Sequence, residues 1–280
     1  MGIFFNYNGK IYKERDAVIG AANRGLRYGD GLFETMKYKN GALLFAKQHF
    51  ARLWNGLKIL QFEIPKHVTQ DFLEKEIVAL LNTTEIKHDA RIRLNIFRGD
   101  GGLYDAKDDV LNYIIEIWEL SADSGKWNSN GLVVGIYDEV KKSCDVLSNL
   151  KHNNYLPSVI AALYAKKEKW NDALILNSYD RICETTIANI FLIKDEIIYT
   201  PPLSEGCVAG IMRAFLIEQL HSLKFIINEK PITLSEVMDA DEICLTNSIY
   251  NIRWVQQIGN KSFSNTLTQK IYSSIISTIL

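Results

Sequence analysis

Cysteine is scarce: the 280 residues hold four, dispersed at Cys144, Cys183, Cys207 and Cys244 with no CxxC pair. That spacing argues against a disulfide framework or a thiolate zinc site and suits reduced thiols in a cytoplasmic protein. The five histidines show no HxxH or HxxxH spacing, so no metal is expected. An excess of one charge is missing too. Net charge is −1 with both signs intermixed, which leaves no electrostatic footprint for nucleic acid or an anionic membrane. No apolar run approaches the roughly 20 residues needed to span a bilayer. The opening Met1-Gly2-Ile3-Phe4-Phe5-Asn6 has no basic region or long apolar core, so no signal peptide is expected. Asn6 stands where a myristoylation motif needs Ser or Thr. Internal repeats and low-complexity tracts are also absent. What remains is a globular composition long enough for one large core or two moderate ones.

Local patterns predict many short elements. Asn8-Gly9 sits between strands at 3–7 and 10–13, a hairpin signal. Arg24 to Gly31 reads RGLRYGDG, a glycine-dense tight connection. Without GxGxxG spacing or a surrounding βαβ unit it is no dinucleotide cradle. A strand follows at 32–38, turned by Asn40-Gly41. Helices are expected at about 46–62, with Phe50, Leu53, Trp54, Leu57 and Leu60 inward, and at about 69–81. Strands at 90–97 and 111–120 flank the loop Arg98-Gly99-Asp100-Gly101-Gly102-Leu103-Tyr104. The polar stretch 121–130 reads as a linker between a smaller N-terminal α/β domain, 1–120, and a larger C-terminal domain, 131–280. The second domain opens with a strand at 132–137. A helix to about residue 170 follows, with Val159, Ile160, Leu163 and Tyr164 expected inward. Strands at 173–176, 181–186, 188–193, 197–200 and 242–246 and helices at 211–223 and 265–280 complete an α/β (α+β) pattern.

Several residues in this frame invite chemistry. Glu184 lies inside strand-forming sequence, where an ionised carboxylate needs a partner or a chemical role. Lys151 precedes a helix in a polar segment suited to a cleft wall. Leu203 to Gly210 is a glycine-bearing turn feeding a helix start, so the Ile211 and Met212 amides could face an anion. Thr246-Asn247-Ser248 ends a strand with small donors. Arg52 beside an apolar helix face is either a snorkelling surface arginine or an anion ligand. Arg98 next to three glycines is either a hairpin-tip residue or a carboxylate receptor.

The combination resembles the class IV aminotransferase family, the pyridoxal 5'-phosphate (PLP) enzymes of fold type IV. It rests on the RGLRYGDGLFET block, His49-x-x-Arg52-Leu53, Lys151 with Asn154-Tyr155-Leu156, Glu184 with Asn189-Ile190-Phe191, and Gly210-Ile211-Met212-Arg213, all in family order. The resemblance implies a two-domain, D-amino-acid-aminotransferase-like fold and a homodimer acting on a small molecule. It makes Lys151 the lysine that carries the cofactor, a role requiring a neutral amine at times despite a reference pKa near ~10.4. It gives Glu184 the pyridine nitrogen, Tyr155 the ring oxygen, and Arg52, Ile211, Met212, Asn247 and Ser248 the phosphate region. Arg98, Tyr28 and Tyr104 are the expected substrate contacts. Phe33-Glu34-Thr35 leans toward the family's aminodeoxychorismate lyases, with the Thr35 hydroxyl as a proton donor or relay. An amino-acid transaminase, branched-chain or D-specific, is the runner-up, and a binding module without turnover is the remote third reading.

Overall fold

The computed structural model describes residues 4–84, 86, 88–107, 109–276 and 279. The chain divides into two units, Met1–Ser124 with Lys151–Asn154, and Gly125–Leu150 with Tyr155–Leu280. The sequence reading assigns Lys151 to the C-terminal domain. Its four-residue segment groups with the first unit, where its backbone pairs with a strand.

In the first unit, β1 (Phe4–Tyr7) and β2 (Lys10–Lys13) form the expected hairpin, and Asn8 and Gly9 both take the left-handed backbone that an Asn-Gly turn requires. The RGLRYGDG block is not wholly a loop. Its first residues form a short helix, α1 (Arg24–Tyr28), because Asn23 accepts from the Leu26 amide at 3.1 Å and Gly29 closes the end at φ +63°. The strand β3 (Gly31–Lys39) turns through Asn40-Gly41 into the two-residue β4 (Ala42–Leu43). Helices α2 (Ala46–Ile59) and α3 (Gln70–Leu81) precede β5 (Ala90–Arg98) and β6 (Leu111–Glu119). The sheet order is β2-β1-β6-β5-β3-β4. Ala90, Ile92, Leu94 and Ile96 of β5 are fully buried, alternating with partly buried Arg91, Arg93 and Asn95. α2 packs on β3, and α3 packs on β1 and β6. Trp54 and Leu60 are only half-buried, and α2 instead buries His49 and Gly56 beside Phe50, Leu53 and Leu57.

The second unit runs β7 (Leu132–Lys142), α4 (Leu156–Lys167), β8 (Asp172–Asn177), β9 (Ile182–Thr185), β10 (Asn189–Lys194), β11 (Ile197–Thr200), α5 (Ile211–Ser222), β12 (Ile227–Glu229), α6 (Leu234–Asp239), β13 (Glu242–Asn247), β14 (Asn251–Ile258), β15 (Lys261–Ser262) and α7 (Thr266–Ile275). Its sheet order is β12-β11-β10-β13-β14-β7-β8-β9, with β15 beside β14. The core joins Leu174, Ile190, Ile243, Leu245 and Val255. The end of the last helix, expected to reach 280, falls partly outside the described residues.

One expected face is reversed. Val159, Ile160, Leu163 and Tyr164 of α4 are 37–60% exposed, and Ser158, Ala161 and Ala165 face inward. Small side chains let α4 lie close on β7 and β8, where Ala161 and Ala165 join Tyr137, Ala173 and Ile175. Periodicity locates the helix; residue size decides its orientation. No helix among the described residues is long and apolar enough to cross a membrane.

Candidate active site

In the first unit the site is built on the β3 edge that the short β4 leaves uncovered. Phe33 donates its amide to the Lys151 carbonyl at 2.8 Å, and Asn153 donates its amide to the Gly31 carbonyl at 3.0 Å. This zips Lys151–Asn153 onto β3. Gly31 has no alternative there, since a Cβ would stand 2.1 Å from the Ile96 carbonyl oxygen. Lys151 Nζ then lies 4.4 Å from the Phe33 ring centroid, and the Arg93 guanidinium carbon lies 3.9 Å from the same ring.

Strand alternation puts Thr35 on the Phe33 face, and its cross-strand partner is Arg93. Lys151, Arg93, Phe33 and Thr35 thus share one patch of sheet. Arg93 does not stand out in the sequence, although its alternation with Ile92 and Leu94 carries the signal.

Glu34 points to the other face and is 2% exposed. It accepts from Arg52 Nε at 2.8 Å and Nη2 at 2.6 Å, and pairs with His49 Nδ1 at 2.7 Å. The family block and the His-x-x-Arg motif are therefore one ion cluster. Arg52 is oriented by Glu34 and keeps 13% of its side chain exposed. Burial works to raise the Glu34 carboxyl, but Arg52 and His49 outweigh it and bring it down to about 2. A folded value below the unfolded one gives stability that is complete above about pH 4.5 and is lost as pH falls toward 2, on the order of 3 kcal/mol. Glu34→Gln should therefore melt well below wild type at pH 7, with the difference closing as pH falls from 4.5 to 2. Parallel melting curves across that range would refute the assignment.

Arg98 is not placed as a carboxylate receptor. It is 7% exposed, stacks on Phe62, and donates to Asp30, Asp109 and the Leu60 and Gln61 carbonyls. Its guanidinium thus ties the start of its loop to the end of α2, to Asp30 and to the loop's far end at Asp109. Buried Arg24, the first residue of the RGLRYGDG block, bonds Asp30 at 2.9 Å and the Leu103 and Tyr104 carbonyls at 2.6 and 3.0 Å. Tyr28 and Tyr104 come together beside it, with ring centroids 5.9 Å apart.

In the second unit Glu184 is 4% exposed on β9. One oxygen accepts the Val208 amide at 2.8 Å, and the other accepts from Lys142 Nζ, a residue that no motif marks. Tyr155, just before α4, is close enough to Lys142 to add to its field. Gly210 begins α5 with no side-chain cap, so its first amides are not claimed by a cap. A Cβ on Gly210 would meet Asn189 Oδ1 at 2.0 Å. Opposite Asn189 on β13, the Thr246 hydroxyl is buried with no hydrogen-bond partner among the described residues. A cap-free helix start and an orphaned hydroxyl fit a phosphate group. Asn247 is otherwise engaged: its Oδ1 accepts the Ile249 and Tyr250 amides at 3.0 and 2.8 Å and shapes the turn into β14. Ser248 is half-buried in that turn.

Comparison with known proteins bears on the family and the fold. The sequence profile described as Amino-transferase class IV matches residues 31–258. Aminodeoxychorismate lyase of Vibrio harveyi is 32% identical over 238 residues, covering 84% of this chain and 86% of the relative. A branched-chain-amino-acid aminotransferase of Pseudomonas aeruginosa is 26% identical over 286 residues, covering 97% and 92%. The crystal structure of 4-amino-4-deoxychorismate lyase from Pseudomonas aeruginosa superposes with a TM-score of 0.84 at 25% identity, covering 98% of each chain. The chain belongs to the class IV aminotransferase family, with its fold type IV architecture. It is a PLP-dependent enzyme.

Proposed function

We propose that this enzyme is a 4-amino-4-deoxychorismate lyase of folate biosynthesis, releasing pyruvate and leaving 4-aminobenzoate. The observation that carries the reading is Thr35, a hydroxyl on the same face of β3 as the Phe33 ring that Lys151 covers. Bound PLP supplies an electron sink for the carbon that loses its proton. Lys151 carries the cofactor and takes the proton from the amino-bearing ring carbon. Thr35 serves the departing enolpyruvyl group as proton donor or relay, and the Arg93 guanidinium offers a carboxylate a charged partner. Glu184 faces the pyridine nitrogen and Tyr155 the ring oxygen. Arg52, the Ile211 and Met212 amides and Ser248 hold the phosphate, with Thr246 as a further donor.

We take the enzyme to be a homodimer in the cytoplasm. Support comes from the apolar surface that α4 exposes through Leu156, Val159, Ile160, Leu163 and Tyr164, and from four free cysteines.

An amino-acid transaminase is the second reading, favoured by the near full-length aminotransferase relative. Incubation with aminodeoxychorismate, and separately with amino acids plus 2-oxoglutarate, separates the two. The lyase should release pyruvate and 4-aminobenzoate in equal amounts. Glutamate formation without pyruvate release would make it a transaminase.

A further inference from the structure

We propose that Lys142 is a positioning residue for Glu184, holding the buried carboxylate in place and aimed for the cofactor ring. The inference rests on the PLP reading of the site and adds to it a residue outside the family motifs.

Two strand irregularities create the pair. Between Tyr137 and Lys141 the register of β7 on β8 slips, so Ile175 pairs with Tyr137 while the next residue, Leu176, pairs with Lys141. The register of β9 on β8 shifts at the same level, between Ile175 and Leu176. Bulges of this kind re-aim side chains. Here the consecutive lysines part company. Lys141 reaches exposed Asp180 at 2.8 Å, while Lys142 is 14% exposed and reaches Glu184 on the far side of β8. Two strand spacings separate β7 from β9, about 10 Å, a span suited to a long lysine stem.

The surroundings leave Lys142 as the charge that matters. Among the described residues it is the one cation in a salt bridge with Glu184. Cys183 and Cys207 lie close by, but burial and then the Glu184 charge raise both thiols and keep them neutral. Cys144 and Arg213 act on these thiols, and Tyr155 acts on Lys142. Burial opposes the Lys142 ammonium, yet Glu184 outweighs it and holds the amine above the ordinary lysine value. Removing one member of a buried ion pair strands the other. Without Lys142, the hydrogen bond from the Val208 amide would be left to orient the buried Glu184 carboxylate, and the oxygen that Lys142 now holds would lose its charged partner.

The test uses Lys142→Met, Lys142→Arg, Glu184→Gln and the double variant Lys142→Met/Glu184→Gln. In PLP-free protein, Lys142→Met should lower the melting temperature by on the order of 5–15 °C. The double variant should recover part of that loss, because no carboxylate is stranded. In PLP titrations followed by absorbance, Lys142→Met should bind at least tenfold more weakly, with Lys142→Arg near wild type. Turnover of Lys142→Met should fall in kcat with KM little changed, since the defect lies at the cofactor and not at the substrate. Additive melting shifts would overturn the inference, as would a coupled pair whose loss leaves PLP affinity and kcat at wild-type levels. A wild-type protein that binds no PLP would instead overturn the cofactor reading, and that outcome is read separately from the variants.

Discussion

Lys151→Ala is expected to abolish turnover, with a loss at or beyond the upper end of ~10²–10⁴-fold for a missing proton-transfer group, because the covalent attachment disappears as well. The fold should survive. Lys151 joins β3 through its backbone carbonyl, which accepts from Phe33 at 2.8 Å, and alanine retains that carbonyl. The contacts the side chain loses include the one with the Phe33 ring, a partly exposed cation–π pair of about 0.5–1 kcal/mol. The variant should therefore melt close to wild type. Borohydride should fix the cofactor on a wild-type peptide containing Lys151 and on none from the variant. A variant that unfolds would indicate a structural lysine. A variant that still turns over and still traps cofactor would move the attachment point elsewhere.

Legibility in the sequence follows the physical range of each signal. Asn8-Gly9 and Asn40-Gly41 mark their hairpins because an Asn-Gly turn is a local backbone property. The helix at 156–167 is legible but its orientation is not, since Ala161 and Ala165 win the interior by being small, a fact set by the strands beneath. Among site residues, Lys151 and Glu184 stand out by motif, yet their companions come from elsewhere in the chain. Arg93 reaches the Phe33 ring that Lys151 also covers through the register of β5 on β3, and Lys142 meets Glu184 through two register shifts that no local pattern encodes. Arg98 misleads for a related reason. Its glycine neighbours suggest an open receptor loop, whereas Asp30 and the Leu60 and Gln61 carbonyls close on it from other segments. Local chemistry nominates a residue; long-range pairing decides whether its charge is still available.

Thr35→Val should separate the lyase from the transaminase. In the lyase reading Lys151 removes a proton from the amino-bearing ring carbon, the adjacent carbon–oxygen bond breaks, and the enolpyruvyl group leaves and must gain a proton to become pyruvate. Thr35 suits that proton transfer, because it is partly buried, stands two residues along β3 from Phe33 on the same face, and lies across from Arg93. Valine keeps the β-branched shape that suits a strand and deletes only the hydroxyl. Pyruvate release should fall by roughly 10²–10⁴-fold, while PLP binding and melting temperature stay near wild type. A transaminase has no departing oxygen to protonate, so in that reading the same change affects packing alone and glutamate formation should alter only slightly. Glu34, the next residue back along β3, provides the internal control. It faces Arg52 and His49 on the opposite side, so Glu34→Gln should shift acid stability through the pH 4.5–2 window over which its carboxylate's stabilisation is lost. Pyruvate release from Thr35→Val at the wild-type rate would remove the hydroxyl from the chemistry and, with it, the feature that now favours the lyase.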